Sequence, residues 1–541
     1  MFVQTSKTTI NGKTYECKTV RESFRTPKGP RSRLVCNISK LPENIQAAIE
    51  ALLKNPESDL VPASSLGLHD ALAFGGIAVL HDAWERYRLD AVLSEVADPV
   101  VCGRIKAMIF ARLLFPGSKL SLKTQSADSA LAASCGLARD DLDEDRLYEA
   151  MDALSGKWAG IERNLYSEAF PGGVTLVLYD LTSSYFEGAK NKKLAAYGYS
   201  RDHRGDRPQV ILALATGADG VPIHIEVLKG NRADSKTLLP LLANLRRRFG
   251  ISKAVFSFDG GMSSALNLQQ MREDELDYVT RLSSATLQTL LAQLPAEHQP
   301  ELWDRTDLAE FEMDGIRYVV AGSEYRRQRD RERREARIAK GRAALEKFNQ
   351  VRRRKVDVQK LASQVGRMLD RSKCLKYFEF HVEEDGHATW FERQDVIEAE
   401  ERLDGWYLLT TSLPAENSTK EDVFTHYRNL LDVEDAFRET KTYLEVRPIF
   451  HQKDNRVRNH IRICFLAYWM SSRLRREWRQ LGETREVPLV LKQLQQIRIG
   501  RLRIGEKICK TVLTDIPKPL YIILNRLLLL RLFRQVPRWA T

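Results

Sequence analysis

Apolar and polar residues alternate through the first forty positions on either side of Asn11-Gly12, a pair that favours a two-residue hairpin turn, so the chain opens on a small β-rich segment. From about residue 67 to 170 the period lengthens to that of amphipathic helices, as in Ala71 to Val96, Gly103 to Phe115 and Asp143 to Phe170. Val174 to Asp180 is a continuous apolar run closing on an acid, which reads as a central strand with a carboxylate at its C-terminal end. Val210 to Thr216 and Val221 to Leu228 follow as a hairpin across Ala218-Asp219-Gly220. Asp234 is placed to cap a helix reaching Phe249, and Ala254 to Asp259 is a second apolar strand ending on an acid. Gly260-Gly261 permits a tight turn, a short helix follows, and Asp277 to Leu282 supplies another strand, giving the order βββαβαβ.

Beyond residue 283 the register changes. β-like stretches around Phe311 to Val320 and Tyr377 to Trp390 flank a long Arg-rich helical segment, Tyr325 to Lys373. Trp406 to Thr411 reads as a strand and Ser418 to Leu444 as one long helix, with Asn417, Ser418 or Thr419 as its cap. The expected organisation is a β-rich region 1–66, a helical region 67–170 suited to DNA binding, a core in two parts (171–282 and 406–482) split by an insertion 283–405, and a basic helical region 483–541.

At 541 residues the chain needs several cores or one enlarged by insertions, and 43% hydrophobic with 29% charged residues is an ordinary globular balance. The charge is unevenly placed. Arg326 to Lys373 holds 18 Lys or Arg against 6 acids and Arg456 to Thr541 holds 19 against 5, which leaves −14 of the net +12 for the remainder. An acidic body between two basic blocks places carboxylates near a polyanion, and double-stranded DNA is the leading partner. The start of the chain lacks a basic, apolar leader, and Arg526 interrupts the apolar run Leu520 to Leu530, so neither export nor a transmembrane helix is expected. Seven scattered cysteines without a CxxC pair suit a reducing cytoplasm. In the tail, Leu520, Ile523, Leu527 and Leu530 recur at helical spacing, a stripe for a subunit contact or for packing within its own chain.

The helix 418–444 carries the chemistry. At ~100° per residue, with Glu434 as origin, Val423, Tyr427, Leu430, Phe437, Arg438 and Lys441 all fall within about 60°, whereas Asp432, Asp435 and Glu439 point toward the polar side. A glutamate on an apolar face needs a partner or a metal. One possibility is a structural ion pair with Arg438 or Lys441. The other joins Glu434 to the strand-end acids Asp180 and Asp259, whose hard oxygens suit Mg²⁺ or Mn²⁺. Trp390 and Trp406 border the Arg-rich segment, where an exposed indole could stack on a flipped base.

These elements resemble the ribonuclease H-like core of DDE transposases. Leu178 to Gly188 is similar to the first-aspartate block of bacterial insertion-sequence transposases, and Gly220-Val-Pro-Ile with Gly230 to Asp234 to the blocks after it. Phe258-Asp259-Gly-Gly261-Met262 resembles the second-aspartate block, and Glu445 to His460 the block after the glutamate. Tyr427, Glu434 and Lys441 match the signature Y-(2)-R-(3)-E-(6)-K of the insertion-sequence-four superfamily, with Leu430 standing at the arginine position. The resemblance implies an α/β fold, with an RNase H-like core (βββαβα…βα) interrupted by a mixed α/β insertion and flanked by α-helical N- and C-terminal regions. It implies that Asp180, Asp259 and Glu434 are catalytic and hold two Mg²⁺ (or Mn²⁺) ions, and that Tyr427, Arg438 and Lys441 contact DNA. Arg352, Arg353 and Arg354 are further DNA-binding candidates from the basic insertion. The implied activity is metal-dependent cleavage of transposon ends and their joining to target DNA, by a homodimer in the bacterial nucleoid. The same residues would serve a nuclease of this fold without strand transfer. A catalytically silent DNA-binding repressor is a third possibility, which the full carboxylate set disfavours.

Overall fold

The computed structural model describes residues 1–541 apart from 11, 56–65, 189–190, 192, 294–307, 352–356, 505–506 and 541. Strands β1 (Phe2–Ile10), β2 (Lys13–Thr26) and β3 (Gly29–Asn37) form the expected antiparallel start. After β4 (Leu66–Ala73), the helices Gly75–Arg86, Pro99–Leu114 and Trp158–Ala169 lead to the central sheet. Its strands in chain order are β5 (Leu176–Tyr185), β6 (Gln209–Gly217), β7 (Pro222–Lys229), β8 (Val255–Phe258), β9 (Tyr278–Arg281), β10 (Leu308–Met313) and β11 (Ile316–Gly322). The hairpin β12 (Phe378–Val382) and β13 (Ala388–Glu392) stands apart, β14 (Trp406–Thr411) returns to the sheet, and β15 (Arg498–Ile504) and β16 (Lys507–Leu513) lie near the C-terminus.

The eight-stranded order is β10-β11-β14-β9-β8-β5-β6-β7. β5, β6 and β7 are an antiparallel meander, while β8 runs parallel to β5 and β9 parallel to β8. Strand parity sends alternate side chains to two different cores. Val177, Tyr179, Phe256 and Phe258 pack with Leu241, Leu245 and Met271 from the helices Leu238–Phe249 and Ala265–Glu273. Leu176, Leu178, Leu212 and Leu214 face the opposite way, onto Val433 and Ala436 of the helix Leu430–Thr442 and onto the long helix Asp454–Gln480. That long helix is apolar nearly all round between Ile461 and Trp469, because it is sandwiched between the sheet and the N-terminal helices.

Several expectations are revised. The segment 283–405 gives β10 and β11 to the central sheet through β14, and its middle, around Leu345, Val365, Leu369 and Tyr377, has a separate core. The terminal regions are not purely helical: β4 pairs with β15, and β15 with β16, in a sheet that joins residues more than 400 positions apart. Neither hairpin nor single strand is stable alone, so this pairing exists only through its long-range partner. The helix expected over 418–444 is two, Lys420–Arg428, capped by Thr419 and Asp422, and Leu430–Thr442. The Arg-rich segment is likewise split into Glu324–Asn349 and Val358–Arg371, with Arg352, Arg353 and Arg354 outside the described residues. Finally, Leu520, Ile523 and Leu527 are buried in their own chain's core, so the apolar stripe of the tail is an internal one. Among the described residues no helix is long and apolar enough to cross a membrane.

Candidate active site

β5 does not end at Asp180. Its pairing with β6 continues to Tyr185, whereas its pairing with β8 stops at Tyr179↔Phe258. Asp180 and Asp259 are therefore the next residues on two adjacent parallel strands, at the point where the strands part, on backbones roughly 4.8 Å apart. Parity puts both on the face opposite Tyr179 and Phe258, the face covered by the helix Leu430–Thr442, which brings Glu434. A Cβ at Gly260 would meet the Arg281 carbonyl at 2.8 Å, so the chain leaving Asp259 has to be glycine to turn there.

Asp180, Asp259 and Glu434 line one cleft of about 1810 Å³. Its other wall is the helix Glu324–Asn349, which presents Arg326, Arg329, Arg333 and Arg337. Burial, with the charges of Asp259 and Glu434 added, pushes the Asp180 carboxyl up to about 7 against the pull of Arg201. Enclosure by the cleft walls and the neighbouring Asp259 and Asp435 also raise the Glu434 carboxyl, with Arg326 opposing. Among the described residues no three His, Cys, Asp or Glu side chains are already gathered closely enough to hold an ion. The donor chemistry nevertheless fits a hard divalent cation: three carboxylates share one cavity, and their mutual repulsion is what a cation would relieve.

Glu434 differs from expectation in burial. It is exposed to the cleft, and the acid truly buried on this helix is Glu439, 2% exposed, which is hydrogen-bonded by Ser471 and paired with Arg475. The helix packs on the sheet and on Asp454–Gln480 at once, so its buried surface wraps around Val433, Ala436 and Thr440 and leaves Glu434 at the rim. Neither expected ion pair forms. Arg438 bonds Asp435 at 2.9 Å, and Lys441 Nζ donates to Asp202 Oδ1 at 2.7 Å.

Both residues still line the cleft, as does Tyr427, whose ring lies 6.0 Å from that of Tyr407. Lys441 is largely buried, which lowers its pKa, and it shares Asp202 with Arg447. Leu430, at the arginine position of the resemblance, is buried in the core and brings no cation. Trp406 is 7% exposed and Trp390 packs against the insertion's core, so neither indole stands free as a stacking platform.

The arginines of the cleft wall are absent from the candidates that the sequence suggests, although 326, 329, 333 and 337 are spaced to share one helical face. Among the described residues these four carry no ion pair, while Arg327, Arg331 and Arg334 on other faces of the same helix are paired with Glu324, Glu335 and Asp404. Arg326 is held over the Tyr407 ring, 4.7 Å from its centroid.

Residues 174–470, just over half of the chain, match the family model of the transposase DDE domain. The chain belongs to the DDE transposases. A solved structure similar to this transposase is the cryo-EM structure of the piggyBac transposase synaptic complex with hairpin DNA, at 8% identity and a TM-score of 0.37 over 73% of this chain and 70% of that one. No curated protein matches the chain.

Proposed function

We propose that this DDE transposase belongs to the insertion-sequence-four superfamily, binds the terminal inverted repeats of a bacterial insertion sequence, cleaves the ends and joins them to target DNA. The observation that carries this is the pairing of walls in one cleft, three carboxylates facing four arginines without ion-pair partners among the described residues. The cleft exceeds the roughly 300 to 1000 Å³ typical of small-molecule pockets. It therefore suits a polymer. The βββαβαβ order, meander first and parallel strands after, supports an RNase H-like core, and the position of Asp180 and Asp259 at the parting of β5 and β8 supports their use as ligands.

Asp180, Asp259 and Glu434 would hold two Mg²⁺ or Mn²⁺ ions, which when bound activate the attacking oxygen and stabilise the leaving one. The protein's own groups do the rest. Arg329, Arg333 and Arg337 bind the phosphate backbone as a row, and Arg326, stiffened by Tyr407, fixes the phosphate nearest Glu434. Tyr427 donates its hydroxyl to a phosphate oxygen, and Arg438 and Lys441 add cations on the carboxylate side. In the first step water attacks the phosphodiester at the transposon end and the 3′-oxygen leaves as a hydroxyl. In the second that hydroxyl attacks a target phosphodiester, forming one P–O bond as another breaks. Replacing Asp180, Asp259 or Glu434 singly by Ala should abolish cleavage of an inverted-repeat duplex in Mg²⁺ while leaving its affinity within about twofold. Retained cleavage by any one of the three would refute the assignment.

A further inference from the structure

β2 is longer than its partner on one side. Its pairing with β1 spans Lys13 to Arg21, whereas its pairing with β3 runs on to Thr26↔Gly29. Residues Glu22 to Arg33 are thus a two-stranded ribbon projecting past the three-stranded part of the sheet. The ribbon carries Arg25, Lys28, Arg31 and Arg33 against the single acid Glu22, and residues 1–40 as a whole hold nine Lys or Arg against two Glu. Glu22 is already paired with Arg33. Arg25, Lys28 and Arg31 are exposed and have no ion pair among the described residues. Phe24, 43% exposed, stands directly across from Arg31 on the same face. Among the described residues no hydrogen bond or ion pair ties the sheet to the central body, so these side chains are not spent on holding the fold together.

We infer that this ribbon is a DNA-binding arm that enters the major groove of duplex DNA. The major groove is roughly 12 Å wide and admits a two-stranded β-ribbon, and a five-residue arm is about 17 Å long, enough to cross it. Arg25, Lys28 and Arg31 contact phosphates on the groove's edges, and the exposed Phe24 packs on a base edge such as a thymine methyl. The inference rests on the transposase reading but assigns the grip on DNA to a region outside the family-matched residues 174–470 and distant in sequence from the carboxylates.

The test uses the full-length protein with Arg25→Glu, Lys28→Glu and Arg31→Glu together, checked for an unchanged thermal melt. Affinity for an inverted-repeat duplex is measured across a salt series. The slope of log K against log salt should become shallower by up to about 2.7, at ~0.9 per lost phosphate contact. Cleavage at saturating protein should persist, which separates this result from a failure of the active-site assignment. The milder Phe24→Ala should leave the slope unchanged and narrow the preference for the cognate duplex over a scrambled one. An unchanged slope in the triple variant would overturn the inference. So would a change in its oligomeric state without DNA at unaltered DNA affinity, since the sheet would then be a contact between copies of this chain.

Discussion

Asp180 shows how position along a strand sets chemistry. One residue earlier the chain is Tyr179, clamped between β6 and β8 and buried at 1% exposure; Asp180 faces the opposite side, where its carboxyl is shielded from water and lies in the field of Asp259 and Glu434. The resulting pKa of about 7, raised from the usual carboxylate value, has a consequence for stability. With the folded pKa above the unfolded one, the carboxyl costs nothing below about pH 4, where it is protonated in both states, and an increasing amount as pH rises to about 7. Every tenfold difference in proton affinity between the folded and unfolded chain is worth about 1.4 kcal/mol. In chelator-treated protein, Asp180→Asn should therefore melt above the wild type at pH 8, with the advantage disappearing near pH 4. Parallel melting curves across that range would mean that neither burial nor the charges of Asp259 and Glu434 disfavour the ionised carboxyl.

At the scale of the element, the helix Leu430–Thr442 carries two glutamates with opposite duties. Glu434 looks into the cleft and Glu439 into the core, where it neutralises Arg475. Glu439→Ala would leave the buried Arg475 with the more distant Glu486, at 3.7 Å, as its remaining ion-pair partner among the described residues, at a cost of up to about 3 kcal/mol, a loss that chemical denaturation would register directly. Glu434→Gln should leave the denaturation midpoint near that of the wild type and remove cleavage; the converse pattern would exchange the two assignments. Periodicity alone could not separate them. A helical wheel assumes one buried face, and this helix has two neighbours, the sheet and the helix Asp454–Gln480, so the acid put on the polar side by its angle is the one with 2% exposure. The strands are easier to read, because β5 and β8 are continuous apolar runs whose acids come where their mutual pairing ends. By contrast, the β4-β15 pairing leaves little trace in sequence, since short half-exposed strands become strands only when a distant partner supplies the hydrogen bonds. The arginine face is legible in spacing but is overshadowed by the denser run at 352–354, where charge is concentrated but carries no information on direction.

For the whole molecule, the question is which chain completes each active site. Joining two transposon ends to one target needs two carboxylate sets, and one chain supplies one, so the proposed working form is a dimer. The apolar tail does not identify the contact, because Leu520, Ile523 and Leu527 are used inside their own chain. The cleft is more informative. β10 and β11 join the insertion to the central sheet through β14, so the helix that begins at Glu324, immediately after β11, is carried on the same framework as Asp180 and Asp259. Arg334, 4% exposed and forked onto Asp404 at 2.6 and 2.7 Å, then locks that helix in place and aims its neighbours Arg333 and Arg337 across the cleft. Both walls of each active site should accordingly come from one polypeptide. A chain bearing Asp180→Ala mixed with a chain bearing Arg329→Glu, Arg333→Glu and Arg337→Glu should cleave no better than either alone, because no cleft in the mixture has two intact walls. Restored cleavage in the mixture would show instead that the arginine row serves the partner's carboxylates, and that the two walls seen together here are separated when the dimer closes on DNA.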